Sequence, residues 1–460
     1  FNFTWKSIRF KLLEFLFKIK SYLSKYSSDI HFIELIKGAS STFILKIVGL
    51  LIGYVLAIFI TNKFGAFVFG QYVTALLIVE ILSIISRLGI DTALVRFISR
   101  YVHNGASQLI NKLFFKSIAI VTLAAIIFTL LLLFFSAYIA DFMNLDEEYL
   151  LIVSFSFIPL VLFHMNVQAI RGLKKMLSFS FLNNVAITLF TFIIMVVLVS
   201  YTSTEKLPIY AYVLSVFIMT FSSYFLWFYH TKKIENSMFN NSEAELTTKA
   251  LFKVSIPLLM GQSMMLIMGK VDLFMLANMT SSEQVGIYNI ALKLSMLAYM
   301  GLMAVNSIAA PKFSEIHSSG DIDALKKIVQ QSTKTIFWVT VPVIILFLYF
   351  PKSILSVFGE EFKLAAMALI ILSISKMFSA ISGSVGTFLQ MVGKQNVFQN
   401  ILILTAIINI GLNYILIPKH AIDGAAFASA ISGVIWNVLM IIYIKKNFGF
   451  YSIYFPGIRK

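Results

Sequence analysis

Four lysines stand inside stretches of this 460-residue chain that are otherwise apolar enough to lie in a bilayer: Lys46, Lys270, Lys293 and Lys376. Asp272 follows Lys270 by two residues in GQSMMLIMGKVDLFML (261–276), while Glu80, Arg87 and Asp91 lie along and just past another apolar run. A charge near the centre of a membrane helix costs roughly 2.5–3.5 kcal/mol on insertion scales, so such groups face a cavity or a partner. Their chemistry is electrostatic. An ammonium group holds an anion, a carboxylate carries a proton or a sodium ion, and an acid–base pair locks two elements together.

Lys376 sits about twelve residues into its run, roughly 18 Å deep at 1.5 Å per residue. Ser373, Ser379, Ala380, Gly383 and Thr387 share its face, which is small and polar, so a place on a cavity wall is expected, with structural pairing to a buried acid as the alternative. Lys293 lies about eight residues, or roughly 12 Å, inside its run beside Asn289, Met296 and Met300, where a cavity wall and a helix–helix contact are both open. Lys46 is near the end of its helix, from which a lysine reaches the interface; its neighbours Gly49 and Gly53 point instead to a tightly packed or cavity face. Glu80, Arg87 and Asp91 fall within about 20° of one another at 100° per residue, a polar stripe with Ser83 beside it. Arg87 and Asp91 are candidates for a gate pair and the deeper Glu80 for an ion-coupling carboxylate. Lys270 and Asp272 are about 200° apart around a helix and cannot line one cavity together. His164 has two readings, a proton relay and a hydrogen-bonded packing residue.

Apolar residues make up 59% of the chain and charged residues 13%, against about 25% charged in a soluble protein. With a mean hydropathy of +0.88, this is a polytopic membrane protein. The net charge of +16 reflects Lys and Arg in loops, with no nucleic acid as partner. The absence of cysteine excludes disulfides, thiolate metal sites and cysteine nucleophiles. There is no phosphate-binding GxxxxGK[ST] and no HExxH, so neither a metal nor a cofactor is expected. Asp321-Ile-Asp323 resembles a nucleotide-sugar DxD but sits in a short charged loop, where a solvated face is the simpler account.

The positioning elements are twelve apolar runs of spanning length, at approximately 42–61, 67–86, 113–136, 149–168, 180–200, 209–229, 254–276, 285–310, 334–350, 364–387, 398–417 and 422–444. Of the 37 Lys and Arg, 28 fall at one end of this serpentine and 5 in the loops at the other, which places both termini in the cytoplasm. The outer loops are short, so an elongating enzyme with a large outer loop is disfavoured. Residues 1–36 read as a basic amphipathic segment on the cytoplasmic face. Residues 37–229 and 253–444 read as two six-helix bundles, 230–252 as a cytoplasmic linker and 445–460 as a cytoplasmic tail.

The second bundle repeats the first. A shift of 216 residues lays Gly53 on Gly269, Asn62 on Asn278, Gly70 on Gly286, Tyr72 on Tyr288 and Phe97 on Phe313. Six helices per half give both halves one orientation, and such parallel repeats pack about an axis along the membrane normal with a central cavity between them.

With the repeat in place, a family pattern is visible in GASSTFILKIVG (38–49), FGQY (69–72), RLGIDTALVRFISRY (87–101), KVDLFML (270–276), EQVGIYNIALKL (283–294), AAPKFSEIH (309–317), FGEEF (358–362), GSVGTFLQMVGKQ (383–395) and IPKHAIDGAAFASAIS (417–432). In their order and spacing these stretches resemble the polysaccharide (O-antigen type) flippases of the MOP superfamily, relatives of multidrug-and-toxin extruders. The resemblance implies a polyprenyl-pyrophosphate-linked oligosaccharide carried from the cytoplasmic to the outer leaflet of a bacterial cytoplasmic membrane. Alternating access coupled to H+ or Na+ would drive it, with membrane lipid and other polysaccharide-assembly membrane proteins as partners and no enzymatic step. A cation-coupled drug or metabolite antiporter of the same superfamily is the alternative. The family pattern carries an acid at the position of Asp272, making it the ion-coupling or helix-locking candidate and leaving Lys270 with Lys46, Lys293 and Lys376 as substrate-binding candidates.

Overall fold

A computed structural model describes residues 30–232 and 246–456 of the chain. Most of the basic segment expected over 1–36, and the middle of the expected 230–252 linker, lie outside these residues. Backbone amides have no water to bond in hydrocarbon, so an apolar chain must satisfy them internally. All regular structure among the described residues is helical.

The run Ile30–Ser86 breaks at Gly65 (φ 82°) into α1 (30–64) and α2 (66–86). There follow α3 (Ile90–His103), α4 (Ser107–Phe134), α5 (Ser136–Phe142), α6 (Glu147–Ser154), α7 (Phe157–Gly172) and α8 (Met176–Phe181). A π-helical turn, Leu182–Ala186, joins α8 to α9 (Ile187–Val199), and α10 is Leu207–Thr231. The second half holds α11 (Thr248–Met279), α12 (Ser282–Ser318), α13 (Ile322–Tyr349), α14 (Pro351–Leu355), α15 (Ala366–Ser382) and α16 (Val385–Met391). The last run, Gln395–Phe448, breaks at Ala421 (φ 45°) into α17 (395–420) and α18 (422–448).

Among the described residues, nine helices are long and apolar enough to cross a bilayer, and α6 with α7, bent by 49°, makes a tenth. Two of the nine are the runs broken at Gly65 and Ala421, so the described residues make twelve crossings, as the hydropathy pattern predicts. One rim of the bundle carries the connections 87–112 and 173–175, which are rich in Lys and Arg, and 319–321, which is flanked by Lys312, Lys326 and Lys327. We term this the basic rim. The opposite rim carries the connections 135–146, 200–206 and 350–365.

Three expectations need correction. The polar stripe does not run on through Arg87 and Asp91, because α2 ends at Ser86 and the chain turns through Leu88 (φ 53°) and Gly89 (φ 69°). The stretch after it, expected as a loop, is the amphipathic helix α3: its Ile90, Leu94, Phe97, Ile98 and Tyr101 are buried, and its composition is too polar to register as a span. Finally, α15 stops at Ser382 before Gly383 (φ 77°), so Gly383 and Thr387 do not continue the face of Lys376.

The repeat shows directly in the contacts of the opposite rim. Asn62 donates to the carbonyl of Val357 at 2.9 Å, and its repeat mate Asn278 donates to that of Phe142 at 2.7 Å. Each half thus holds the connection after the third span of the other. Gly70 and Gly286, also repeat mates, face each other where α2 crosses α12: a Cβ on Gly286 would lie 2.5 Å from the Ala66 carbonyl and 3.0 Å from the Gly70 nitrogen. Only hydrogen side chains permit that approach, a common device where membrane helices pack.

Candidate functional site

Helices α1, α2, α9, α10, α11 and α12 enclose a cavity of about 440 Å³. Measured at 1.5 Å per residue from the opposite rim, its wall runs from Tyr212, roughly 7 Å in, to Lys46, roughly 27 Å in, and so through the middle of the bilayer. Three of the four expected lysines, Lys46, Lys270 and Lys293, line it, as does Glu80. Each comes from a different helix, and their sequence separations reach almost 250 residues.

Lys270 Nζ lies 3.2 Å from Glu80 Oε2, an ion pair joining α11 to α2 across the cavity. This pair is internally neutral. Lys293 Nζ stands 5.4 Å from the centroid of the Phe69 ring, and the Tyr54 hydroxyl donates to the Lys293 main-chain oxygen, which ties α1 to α12. Neither Lys293 nor Lys46 has an acidic partner among the described residues, so two cations remain uncompensated in the cavity. At an effective dielectric constant of about 20, an ammonium 4 Å from an anion gains about 4 kcal/mol. An anion entering this cavity supplies what both lysines lack.

Lys376 is not among the lining residues. Its ammonium stands 5.5 Å from the ring centroid of Tyr299 on α12, within electrostatic reach of Asp272. Asp272 points away from Lys270, as their angular separation requires, and is 4% exposed. Its Oδ2 accepts from the Tyr288 hydroxyl at 2.6 Å and from Ser429 Oγ at 2.9 Å, joining α11, α12 and α18 through one carboxylate. The apolar run expected over 254–276 leaves Asp272 four residues from the helix end. In the structure α11 continues to Met279, which sets Asp272 roughly 10 Å below the rim.

Arg87 and Asp91 straddle the α2–α3 turn toward the basic rim and pair at 2.8 Å, both buried. Arg87 Nε also donates to the Ser83 carbonyl at 3.0 Å, and Asp91 Oδ1 accepts from the Thr92 amide at 2.7 Å. From the other half, Gln262 donates to Asp91 and to Thr92. A buried ion pair persists only when its remaining polar atoms are satisfied, and here Gln262 supplies part of that from across the repeat. His164 lies within electrostatic reach of Arg87 and is absent from the cavity wall. Asp321 of the DxD-like pair caps α13, its carboxylate accepting from the Ala324 amide at 2.8 Å.

Several lining residues escape the sequence reading. Tyr54, Tyr72, Tyr212, Asn183 and Asn184 all border the cavity. The consecutive asparagines in FLNNVAITLF were a usable signal, since two carboxamides in a membrane span need polar company. The tyrosines gave none, being ordinary in such helices.

Residues 35–317, well over half of the chain, match the family described as polysaccharide biosynthesis protein. The chain belongs to that family. Residues 257–415 also match the MatE family. An uncharacterized membrane protein of Methanocaldococcus jannaschii is 24% identical over 89% of this chain and 84% of its own. A probable low-salt glycan biosynthesis flippase, Agl15 of Haloferax volcanii, is 26% identical over 38% of this chain and 37% of its own. Among solved structures, the lipid II flippase MurJ in an inward closed conformation superposes with TM-score 0.66 at 16% identity, covering 89% of this chain and 87% of that one. The multidrug transporter DinF-BH gives 0.64 at 18%, covering 90% and 95%. At these identities the structures establish the fold alone, the one shared by these two transporters. This member of the polysaccharide biosynthesis protein family is a multi-pass membrane protein.

Proposed function

We propose that this transporter moves a polyprenyl-pyrophosphate-linked oligosaccharide from the cytoplasmic to the outer leaflet of the cytoplasmic membrane. The observation that carries this reading is the pair of uncompensated cations, Lys46 and Lys293, inside a membrane cavity. A pyrophosphate cannot cross hydrocarbon unaided, whereas the polyprenyl chain can stay in lipid. A cationic cavity supplies the path that the headgroup needs. The positive-inside rule supports placing the basic rim and both termini in the cytoplasm. The rim zipped by Asn62, Asn278 and the Gly70–Gly286 crossing then faces outward. Alternating access requires that zipper to open while the Arg87–Asp91–Gln262 joint closes or holds. Asp272, linking three helices of the second half, is the candidate for H+ or Na+ coupling. Glu80 is a weaker one, because Lys270 already occupies it.

The match to the MatE family keeps a cation-coupled drug antiporter as the second reading. Against it stands the charge balance, since among the described residues the cavity offers no unpaired carboxylate to a cationic drug. Reconstitution into liposomes with a fluorescent polyprenyl-pyrophosphate oligosaccharide separates the two. We expect transfer between leaflets. Exchange of a cationic drug with no movement of the lipid would select the antiporter reading.

A further inference from the structure

The charged residues of the cavity all lie on α1, α2, α11 and α12. The wall made by α9, α10 and the π-turn before α9 carries no charge, and its polar groups are Asn183, Asn184, Thr188, Thr191 and Tyr212. Successive residues of an α-helix point about 100° apart, so adjacent asparagines would not ordinarily share one wall. The π-turn Leu182–Ala186 widens the helix where they occur, and both border the cavity. Such turns recur at functional sites because they re-aim side chains.

The two amides are differently engaged. Asn184 Nδ2 donates to the Ser180 carbonyl at 2.9 Å, and the Asn184 carbonyl packs against α1 so closely that a Cβ on Gly49 would lie 2.0 Å from it. The turn is thereby fixed in place. Asn183 has one long contact, Nδ2 to Asn184 Oδ1 at 3.4 Å; its Oδ1 has no partner among the described residues, and the side chain is exposed to the cavity. On the same wall, the Tyr212 hydroxyl makes no hydrogen bond among the described residues, while its ring meets that of Tyr72 edge-on at 6.3 Å. A rigid wall that presents a free carboxamide, hydroxyls and aromatic edges without charge suits neither a phosphate nor an acyl chain. It suits a neutral polyhydroxylated ring, whose neighbouring hydroxyls pair with the donor and the acceptor of one amide.

We propose that the α9–α10 wall reads the sugar of the transported lipid, with Asn183 as a specificity-determining residue, while the lysines of the other helices hold its pyrophosphate. This rests on the flippase reading above and adds the side of the cavity on which the sugar is recognised.

The test is a binding titration of the purified full-length protein in nanodiscs with two probes, polyprenyl pyrophosphate and the same lipid carrying an oligosaccharide. Wild type is expected to prefer the glycosylated probe. Asn183→Leu is expected to weaken the glycosylated probe about tenfold, the loss of one or two hydrogen bonds, and to leave the sugar-free probe within about twofold. Thr188→Val, nearly isosteric, is expected to shift the same preference in the same direction by about threefold. Lys293→Ala should weaken both probes together. Equal weakening of both probes by Asn183→Leu, an unchanged preference in both wall variants, or no preference in wild type overturns the inference while leaving the flippase reading intact. Failure of wild type to bind either probe overturns the flippase reading and the inference with it.

Discussion

Lys293 and Lys46 are cations with no acidic partner among the described residues, both lining the cavity. Because a hydrogen bond to a charged group contributes about 1.5–3 kcal/mol, Lys293→Ala should lower flipping of a pyrophosphate-linked lipid about tenfold or more in reconstituted vesicles. Lys293→Arg should retain much of the rate. Lys376→Ala is expected to lose less, since Lys376 stands by Tyr299 outside the cavity wall. A larger loss for Lys376 than for Lys293 would move the substrate path toward the second half. Asp272→Asn keeps the shape of the Tyr288 and Ser429 contacts but removes the charge. If Asp272 couples transport to an ion, this variant should bind substrate yet lose its dependence on a sodium or proton gradient, read as flipping rate against imposed gradient. At this scale the sequence was informative about which charges need a cavity or a partner, because an in-span charge left in lipid is too costly. It said little about partners. Depth along one helix ranked Lys376 first, but a cavity wall is shared by six helices, and nothing in the spacing of one helix shows which of its faces the other five enclose.

The helices themselves were legible from hydropathy, and their breaks less so. The turn after α2 needs φ above zero at Leu88 and Gly89 in succession, and only the glycine hints at it. Its repeat mate lacks a glycine, and α12 runs unbroken from Ser282 to Ser318. The α3 segment was hidden for a different reason: its buried face is paid for by packing against α4, α7 and α11, not by overall hydropathy. The crossing of α2 and α12 is the element on which the closed rim depends. A methyl at Gly70 would meet the Ser282 carbonyl at 1.7 Å and, on Gly286, the Ala66 carbonyl at 2.5 Å, contacts with backbone that cannot swing aside. Overpacking of this kind costs about 1–3 kcal/mol. Gly286→Ala should therefore lower the thermal unfolding midpoint in detergent, whereas alanine at Gly411, where a Cβ meets nothing within 4 Å, should not.

At the scale of the whole molecule, the two halves touch at both ends of the cavity through different chemistry. The joint toward the basic rim is one ion pair and one glutamine, Arg87, Asp91 and Gln262. The opposite rim is a reciprocal set of neutral hydrogen bonds, reinforced where Glu361 accepts from the Ala66 amide at the start of α2, the favourable end of a helix for a carboxylate. Neutral bonds of about 1 kcal/mol each can be exchanged for water one at a time, which suits a rim that opens and closes repeatedly. If transport requires that opening, fixing the rim must stop it. The chain has no cysteine, so a pair introduced at Asn62 and Val357 gives an unambiguous test. Bridging the pair with a short bis-thiol linker should abolish flipping while leaving substrate binding in place. Cleaving a reducible linker should restore the rate. A bridged protein that still transports at the unbridged rate would mean that the rim stays shut throughout the cycle, and that the substrate leaves by another route.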